Sequence, residues 1–176
     1  ISMPGLPEDI IFDGEYLWVA INMNSDWSAA SEVVQIDLSS KSVVATVDVG
    51  LGPQDLEVVN NEIFFSRTFY DESWAPNHGM SKFLNSSEND VVAVNYGAGV
   101  ACSGKIIKLN NDIYRTLSED QSIGGIAALD EELNFIDGSK IGAFEQSYIY
   151  HAEFIDGVVW FALTDYAGYN IVKAVD

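Results

Sequence analysis

A single cysteine, two histidines and 8 basic residues against 27 acidic ones are what this chain has little of, and each shortage closes off some chemistry. One cysteine, Cys102, rules out an intrachain disulfide. Its apolar Val-Ala-Cys-Ser setting reads as a small buried hydrophobe rather than a nucleophile. A formal net charge of -19 leaves no basic footprint. Nucleic acid is therefore excluded as a partner and anionic membrane surfaces are disfavoured. Cations, cationic proteins and neutral ligands stay open, and the acidic surplus also serves solubility. No apolar run approaches the ~18 residues of a transmembrane helix, so no transmembrane segment is expected. Nothing reads as a signal peptide, and the chain starts at Ile1 rather than Met, as a processed or excised chain does. Two histidines leave little room for a Ser-His-Asp triad. A Gly-rich phosphate loop, a Gly-x-Ser-x-Gly elbow, His-Glu-x-x-His and Cys-x-x-Cys-His are all missing. No segment holds an i, i+3, i+4, i+7 apolar pattern with a cap, so helices are expected to be largely absent.

What is present is a core and a repeat. The 176 residues are 48% hydrophobic and 12% aromatic, enough for one domain. Gly52 to Ser66 echoes the N-terminal region 46 positions earlier. Pro7 matches Pro53, Asp9 matches Asp55 and Ile10 matches Leu56, while Leu17-Trp18-Val19-Ala20 matches Ile63-Phe64-Phe65-Ser66. A period near ~40–50 residues, built from short apolar runs and turns, is that of a β-propeller blade. The first unit reads as four strands: Asp9 to Phe12, Tyr16 to Ile21, Glu32 to Leu38 and Val43 to Val49, with Asp13-Gly14 as a hairpin turn. The second reads as Leu56 to Val59, Glu62 to Thr68, Lys105 to Leu109 and Ile113 to Leu117. A long insertion, Phe69 to Gly104, would then lie in its middle, with Asp90 to Asn95 as an extra strand. The third opens at Gly124 to Leu129 and the fourth at His151 to Phe154, running on through Val158 to Leu163 and Asn170 to Val175.

The expectation is thus an all-β chain, residues 1–176, forming one β-propeller domain or part of one. Its blades fall roughly at 5–50, 51–122, 123–147 and 148–176. Units opening at 9, 55, 125 and 151 are separated by 46, 70 and 26 residues, and the last interval is too short for four strands. The fourth unit also stops after three strands, with no N-terminal strand to complete it. An open edge is a liability that propellers remove by closing the ring. The chain therefore reads as an incomplete ring of three to four blades, finished by the remainder of a longer propeller or by a second chain.

From Glu32 to Ser66, Val-Val-Gln-Ile-Asp-Leu is followed by a turn, Lys-Ser-Val-Val-Ala-Thr-Val-Asp-Val, and Gly50-Leu51-Gly52-Pro53. This stretch of about 35 residues resembles the YVTN type of β-propeller repeat, whose blade carries an Ile-Asp strand, a Val-Val-x-Thr-Ile strand and a Gly-x-x-Pro link. The other units resemble it less. The resemblance implies a propeller, often in an exported protein, hence an extracellular, cell-surface or periplasmic location. It implies no one activity, because propellers host enzymes, electron-transfer partners and scaffolds alike.

In that geometry the loops between second and third strands share one face. They carry Asp26 and Trp27 in the first unit, Asp71, Glu72, Trp74 and His78 in the second, and Asp165 and Tyr166 in the fourth. Carboxylates beside flat aromatic faces suit a sugar or a cationic group. The structural alternative is that the aromatics pin the loops and the acids are solvated. A second constellation, Asp9, Asp55 and His151 with Gly125, occupies equivalent positions around the axis. Such a set could hold a Ca²⁺-type ion, or the Asp side chains could brace backbone N–H groups. Asn22-x-Asn24-x-Asp26 resembles the start of a calcium loop but has Trp27 where Gly belongs. Asn85-Ser86-Ser87 is a glycosylation sequon. The function expected is an extracytoplasmic binding or scaffold module for a protein or carbohydrate ligand. The alternative is part of a metal-dependent hydrolase or lactonase acting in the channel.

Overall fold

The computed structural model describes residues 1–85, 87–98, 104–119, 123–145, 148–164, 168 and 171–175. Among them are fifteen strands and no helix. β1 (Leu6–Phe12), β2 (Tyr16–Met23), β3 (Ala29–Asp37) and β4 (Ser42–Asp48) form one antiparallel meander. β5 (Pro53–Val59), β6 (Glu62–Tyr70), β7 (Pro76–Leu84) and β8 (Ser87–Ala98) form the second, and β9 (Ile106–Leu109), β10 (Asp112–Glu119), β11 (Ile123–Ala128) and β12 (Ile141–Glu145) the third. β13 (Tyr148–Ile155), β14 (Val158–Thr164) and β15 (Ile171–Val175) make a three-stranded fourth. The first strands β1, β5, β9 and β13 follow one another side by side.

Local chemistry sets this pattern. Two-residue turns at Asn60-Asn61 and Asp156-Gly157, both residues of each at positive φ, join first to second strands. Asn, Asp and Gly are the residues that tolerate this, and the turn's twist matches that of the strands. In the first sheet the turn is longer and Asp13 organises it. Its carboxylate accepts N–H groups from Glu15, Tyr16 and the Trp18 indole at 2.7 Å, and the Asn85 amide of the second sheet at 2.8 Å. Burial alone would raise the Asp13 pKa; these hydrogen bonds outweigh it and hold it below the usual carboxylate value.

The core lies between sheets, so second strands are apolar on both faces. Trp18, Val19, Ala20 and Ile21 are all buried. Trp18 meets Phe83 edge-on, ring centroids 5.2 Å apart, between sheets one and two. Phe144 meets Phe161 the same way at 4.9 Å between sheets three and four. Val59, Phe64 and Met80 pack on Ile106, Ile113 and Leu133 between sheets two and three. Gly52 stitches the first two sheets: its N–H donates to Ala30 O at 2.7 Å and its carbonyl accepts from Thr68 N at 2.8 Å. Its φ is +71°, and a Cβ there would lie 2.0 Å from Thr68 O, so the Gly-x-x-Pro link needs glycine at this point.

Sheet boundaries differ from the expected ones. Phe69 to Gly104 is not an insertion: it supplies β7 and β8, the outer strands of sheet two. Lys105 to Leu109 opens the third sheet, and Gly125 lies in its third strand. Asp130 to Ile136, which follows the expected opening of the third unit, is a turn with one bridge between Leu129 and Phe135. β7 escapes the apolar pattern because its buried positions include Gly79 and Ser81. A Cβ on Gly79 would strike the Arg67 guanidinium, and Ser81 Oγ donates to Val49 O at 2.6 Å. The register Asp9↔Ala20 and His151↔Ala162, with Asp55 N on Ser66 Oγ and Lys105 N on Thr116 Oγ1, sets the equivalent positions as 9, 55, 105 and 151. The intervals are 46, 50 and 46 residues. Among the described residues the sheets do not close into a ring. Ile10 is 55% exposed, whereas its equivalents Leu56, Ile106 and Ala152 are buried; Trp160 is 42% exposed, whereas Trp18 is 0%.

Candidate functional site

The loops after β2 and β6 are built alike. In Asn24–Ser28, Asn24 N donates to Ser28 O at 2.8 Å and Trp27 N to Asn24 O at 3.0 Å. In Asp71–Ala75, Asp71 N donates to Ala75 O at 3.2 Å and Trp74 N to Asp71 O at 2.9 Å. The fourth residue of such a turn sits in the left-handed region, where Gly is usual. Here it is Trp27 at φ 69° and Trp74 at φ 63°. For a bulky side chain this is a true outlier, costing about 1–2 kcal/mol. A third turn of the same build, Asp130–Asn134, has Leu133 at φ 66°. Leu133 is fully buried between sheets two and three, which repays its strain. Trp27 and Trp74 are 74% and 80% exposed, so burial does not repay theirs.

Both indoles line one cleft of about 640 Å³ between sheets one and two. Asn22, Met23, Phe69, Tyr70, Asp71 and Glu72 complete most of its wall. The Tyr70 and Trp74 rings stand 6.3 Å apart and tilted by 46°. The guanidinium of Arg67 lies 5.8 Å from the Phe69 ring. Asp71 is a brace: one oxygen accepts Ser73 N, Ser73 Oγ and Ala75 N at 2.8, 2.6 and 3.0 Å, and the other accepts Asn77 Nδ2 at 3.3 Å. The Ser73 hydroxyl leads in lowering its pKa. Asp26 is held the same way by Ser28 N and Oγ, again with a lowered pKa led by the serine hydroxyl.

The structure thus brings Trp27, Asp71, Glu72 and Trp74 together, with Asp26 supporting the turn behind them. His78 is elsewhere: it is buried, with Nδ1 3.3 Å from Thr68 Oγ1. Burial first, and then the Arg115 charge, push its pKa down to about 4. Asp165 and Tyr166 lie outside the described residues, as does Cys102. The calcium-loop side chains make local bonds: Asn22 Nδ2 donates to Pro53 O, Asn24 Nδ2 to Ser28 Oγ and Ala29 O, and Asp26 Oδ1 accepts from Ser28. Met23 and Tyr70 flank the expected loop residues, and Phe69 lies outside the expected loops. Their signal was the shared Asx-x-x-Trp spacing of Asn24–Trp27 and Asp71–Trp74, which fixes the loop ends and so the strand ends beneath them.

A second cavity, about 420 Å³, runs along the first strands and includes Asp9, Asp55, Lys105 and His151. Its acids serve the fold. Asp9 Oδ2 accepts Leu56 N at 2.9 Å, and Asp55 Oδ2 accepts Ile106 N at 2.7 Å, each reaching from one sheet to the next. Lys105 Nζ pairs with Asp55 Oδ1 at 2.8 Å. Burial would lower the lysine's pKa, but the Asp55 carboxylate overrides it and raises it. His151 is about 60% exposed, its Nε2 3.5 Å from Glu153 Oε2. Asp9, Asp55 and His151 are not gathered into a metal centre: among the described residues no group of three or more His, Cys, Asp or Glu is placed to hold an ion. The lysine at the third equivalent position answers the Asp55 charge instead.

Four consecutive antiparallel sheets whose first strands share one groove define a propeller-like all-β fold. No family model and no curated relative matches the chain. Among solved structures it is similar to a glucose dehydrogenase, with a TM-score of 0.62 and 10% identity over 90% of this chain and 57% of that one. It is also similar to a structure of the complex of KlAtg21 with the coiled-coil of AgAtg16, at TM-score 0.50 and 14% identity over 90% of this chain and 50% of that one. The GH43_1 enzyme from Xanthomonas citri, complexed with xylotriose, gives 0.45 and 11% over 96% and 72%. The chain spans little more than half the length of the first of these and half that of the second. At such identities the likeness concerns the fold alone.

Proposed function

We propose that this chain is an arc of a β-propeller that serves as a binding module, with its ligand held between Trp27 and Trp74. The observation that carries this is the pair of exposed indoles fixed on left-handed backbone at matching turn positions of neighbouring sheets. Strain kept without burial to repay it is a mark of a functional site, and exposed aromatics with one polar rim suit recognition. The hydrolase alternative has less support, because Asp9 and Asp55 are engaged by backbone N–H groups and Lys105. The open ends at Ile10 and Trp160 fit an arc completed by further sheets, in the same chain or another. An exported or cell-surface location belongs to this reading on the strength of the YVTN-like repeat. The test is a fluorescence and calorimetric titration with neutral oligosaccharides and organic cations. Wild type binds one class, and a Trp27→Ala, Trp74→Ala double variant with unchanged far-UV circular dichroism does not. A ligand that binds the double variant as tightly as wild type sinks the proposal.

A further inference from the structure

The cleft lining also selects a class of ligand, an inference that rests on the binding reading above. None of the lining residues is Lys, Arg or His, and the acids among them are Asp71 and Glu72. Along that lining an anionic ligand would find no basic side chain to pair with. A neutral sugar would need several convergent donors and acceptors, and those of the turn side chains are already engaged. Asn22 Nδ2 is on Pro53 O, Ser28 Oγ is on Asp26, and both Asp71 oxygens are occupied. Glu72 differs: among the described residues its carboxylate makes no hydrogen bond or ion pair. The lining is dominated by aromatic faces, and Glu72 is its one carboxylate without a hydrogen-bond partner among the described residues. Flat π faces with a nearby negative charge are what a desolvated organic cation requires, and inorganic ions, being strongly hydrated, gain little from them. The net charge of -19 concentrates cations around the whole molecule.

We infer that the cleft binds a methylated or quaternary ammonium group, seated against Trp27, Tyr70 and Trp74 with Glu72 as its counter-charge. The volume of about 640 Å³ accommodates such a head group with a tail leading out to solvent. The tail's identity is set by the experiment: choline stands for a free small molecule and a trimethyllysine peptide for a protein side chain. Wild-type protein is titrated calorimetrically with choline, with that peptide, and with 3,3-dimethylbutan-1-ol, which replaces the nitrogen of choline by carbon. The expected result is that at least one ammonium probe binds about tenfold more tightly than its uncharged counterpart, the scale of a desolvated cation–π contact. Glu72→Gln should weaken that probe roughly three- to tenfold and steepen nothing for the alcohol, and Trp74→Ala should abolish binding. Equal affinity for choline and the alcohol overturns the ammonium inference while leaving an apolar binding cleft in place. Preference for a neutral oligosaccharide, lost in the double tryptophan variant, overturns it in the same way. Ammonium binding that survives loss of both tryptophans overturns this inference and the binding reading together.

Discussion

Trp74 and Leu133 hold the same position in two turns of the same build, so replacing each by Asn separates strain from burial. Asn tolerates the left-handed region, which recovers about 1–2 kcal/mol at either site. Trp74 is 80% exposed. Its replacement uncovers only a fifth of the ~250 Å² that an indole can bury, about 1 kcal/mol at ~25 cal/mol per Å². The two effects nearly cancel, and Trp74→Asn should lie within about 1 kcal/mol of wild type. Leu133 is fully buried against Val59, Phe64, Met80, Ile106 and Ile113. Leu133→Asn loses that packing and buries an amide, a net cost of about 3 kcal/mol after strain relief. For a chain of this size ~1 kcal/mol moves Tm by roughly 2–4 °C. Scanning calorimetry should therefore show Trp74→Asn within about 3 °C of wild type and Leu133→Asn lower by about 6–12 °C. If Trp74→Asn falls as far as Leu133→Asn, the indole is a structural pin and its strain is no sign of function.

Other outcomes follow from the buried polar groups. Asp55→Asn breaks the pair with Lys105 and weakens the acceptor for Ile106 N, and should cost about 3 kcal/mol in urea unfolding. Adding Lys105→Met should return part of that loss, because no uncompensated ammonium is then left; an additive double-variant cycle would count against the pair. The depressed pKa of His78 means that the unfolded chain takes up a proton near pH 6.5 while the folded protein stays neutral until about pH 4. Stability from this group is present above pH 6.5 and is lost as pH falls toward 4, by up to about 3 kcal/mol. His78→Gln should flatten the Tm profile between pH 7 and 4, and an NMR titration midpoint near 6.5 for the His78 ring would contradict the burial argument. Gly52→Ala should be among the most damaging single changes on the surface links, exceeding about 3 kcal/mol, since its Cβ would meet the Thr68 carbonyl in a backbone region closed to alanine; an unchanged Tm would show that the link can move.

The first sheet was legible because its four strands keep the apolar alternation and turn residues that a sheet needs, and its match to Gly52–Ser66 carried the pattern into β5 and β6. Past Thr68 the second sheet was legible only at Asp90 to Asn95, which lies within β8. β7 buries His78, Gly79 and Ser81 along with Met80 and Phe83, so most of its buried positions are small or polar and Gly79 lies against the Arg67 side chain. Periodicity reads hydrophobicity, and a strand that packs around a guanidinium lacks it. With β7 unread, and Asp90 to Asn95, which lies within β8, taken as an extra strand of an insertion, the next apolar strand, Lys105 to Leu109, looked like the third of sheet two. The aromatic loops were found because Trp in a polar turn is conspicuous. That Asp26 and Asp71 brace the turns while Glu72 faces the cleft was not visible, because sequence gives residue type and not hydrogen-bond direction. The backbone-bracing role of Asp9 and Asp55 was legible, but the third equivalent position was not: Lys105, the residue that neutralises Asp55, belongs to a repeat position the expected boundaries had assigned to Gly125.

The substitution of lysine at position 105 has a mechanical consequence. Asp9 and Asp55 each tie their own sheet to a backbone N–H of the next, but Lys105 turns its ammonium back toward Asp55. Among the described residues, position 105 therefore gives the boundary between sheets three and four no carboxylate tether of the kind that Asp9 and Asp55 give the first two. In an array whose units touch only their neighbours, opening starts where adjoining units are least coupled. Under denaturant or load, Tyr148 to Val175 should leave first as one cooperative unit, and the three sheets before it should persist as a partly folded body with slower amide exchange.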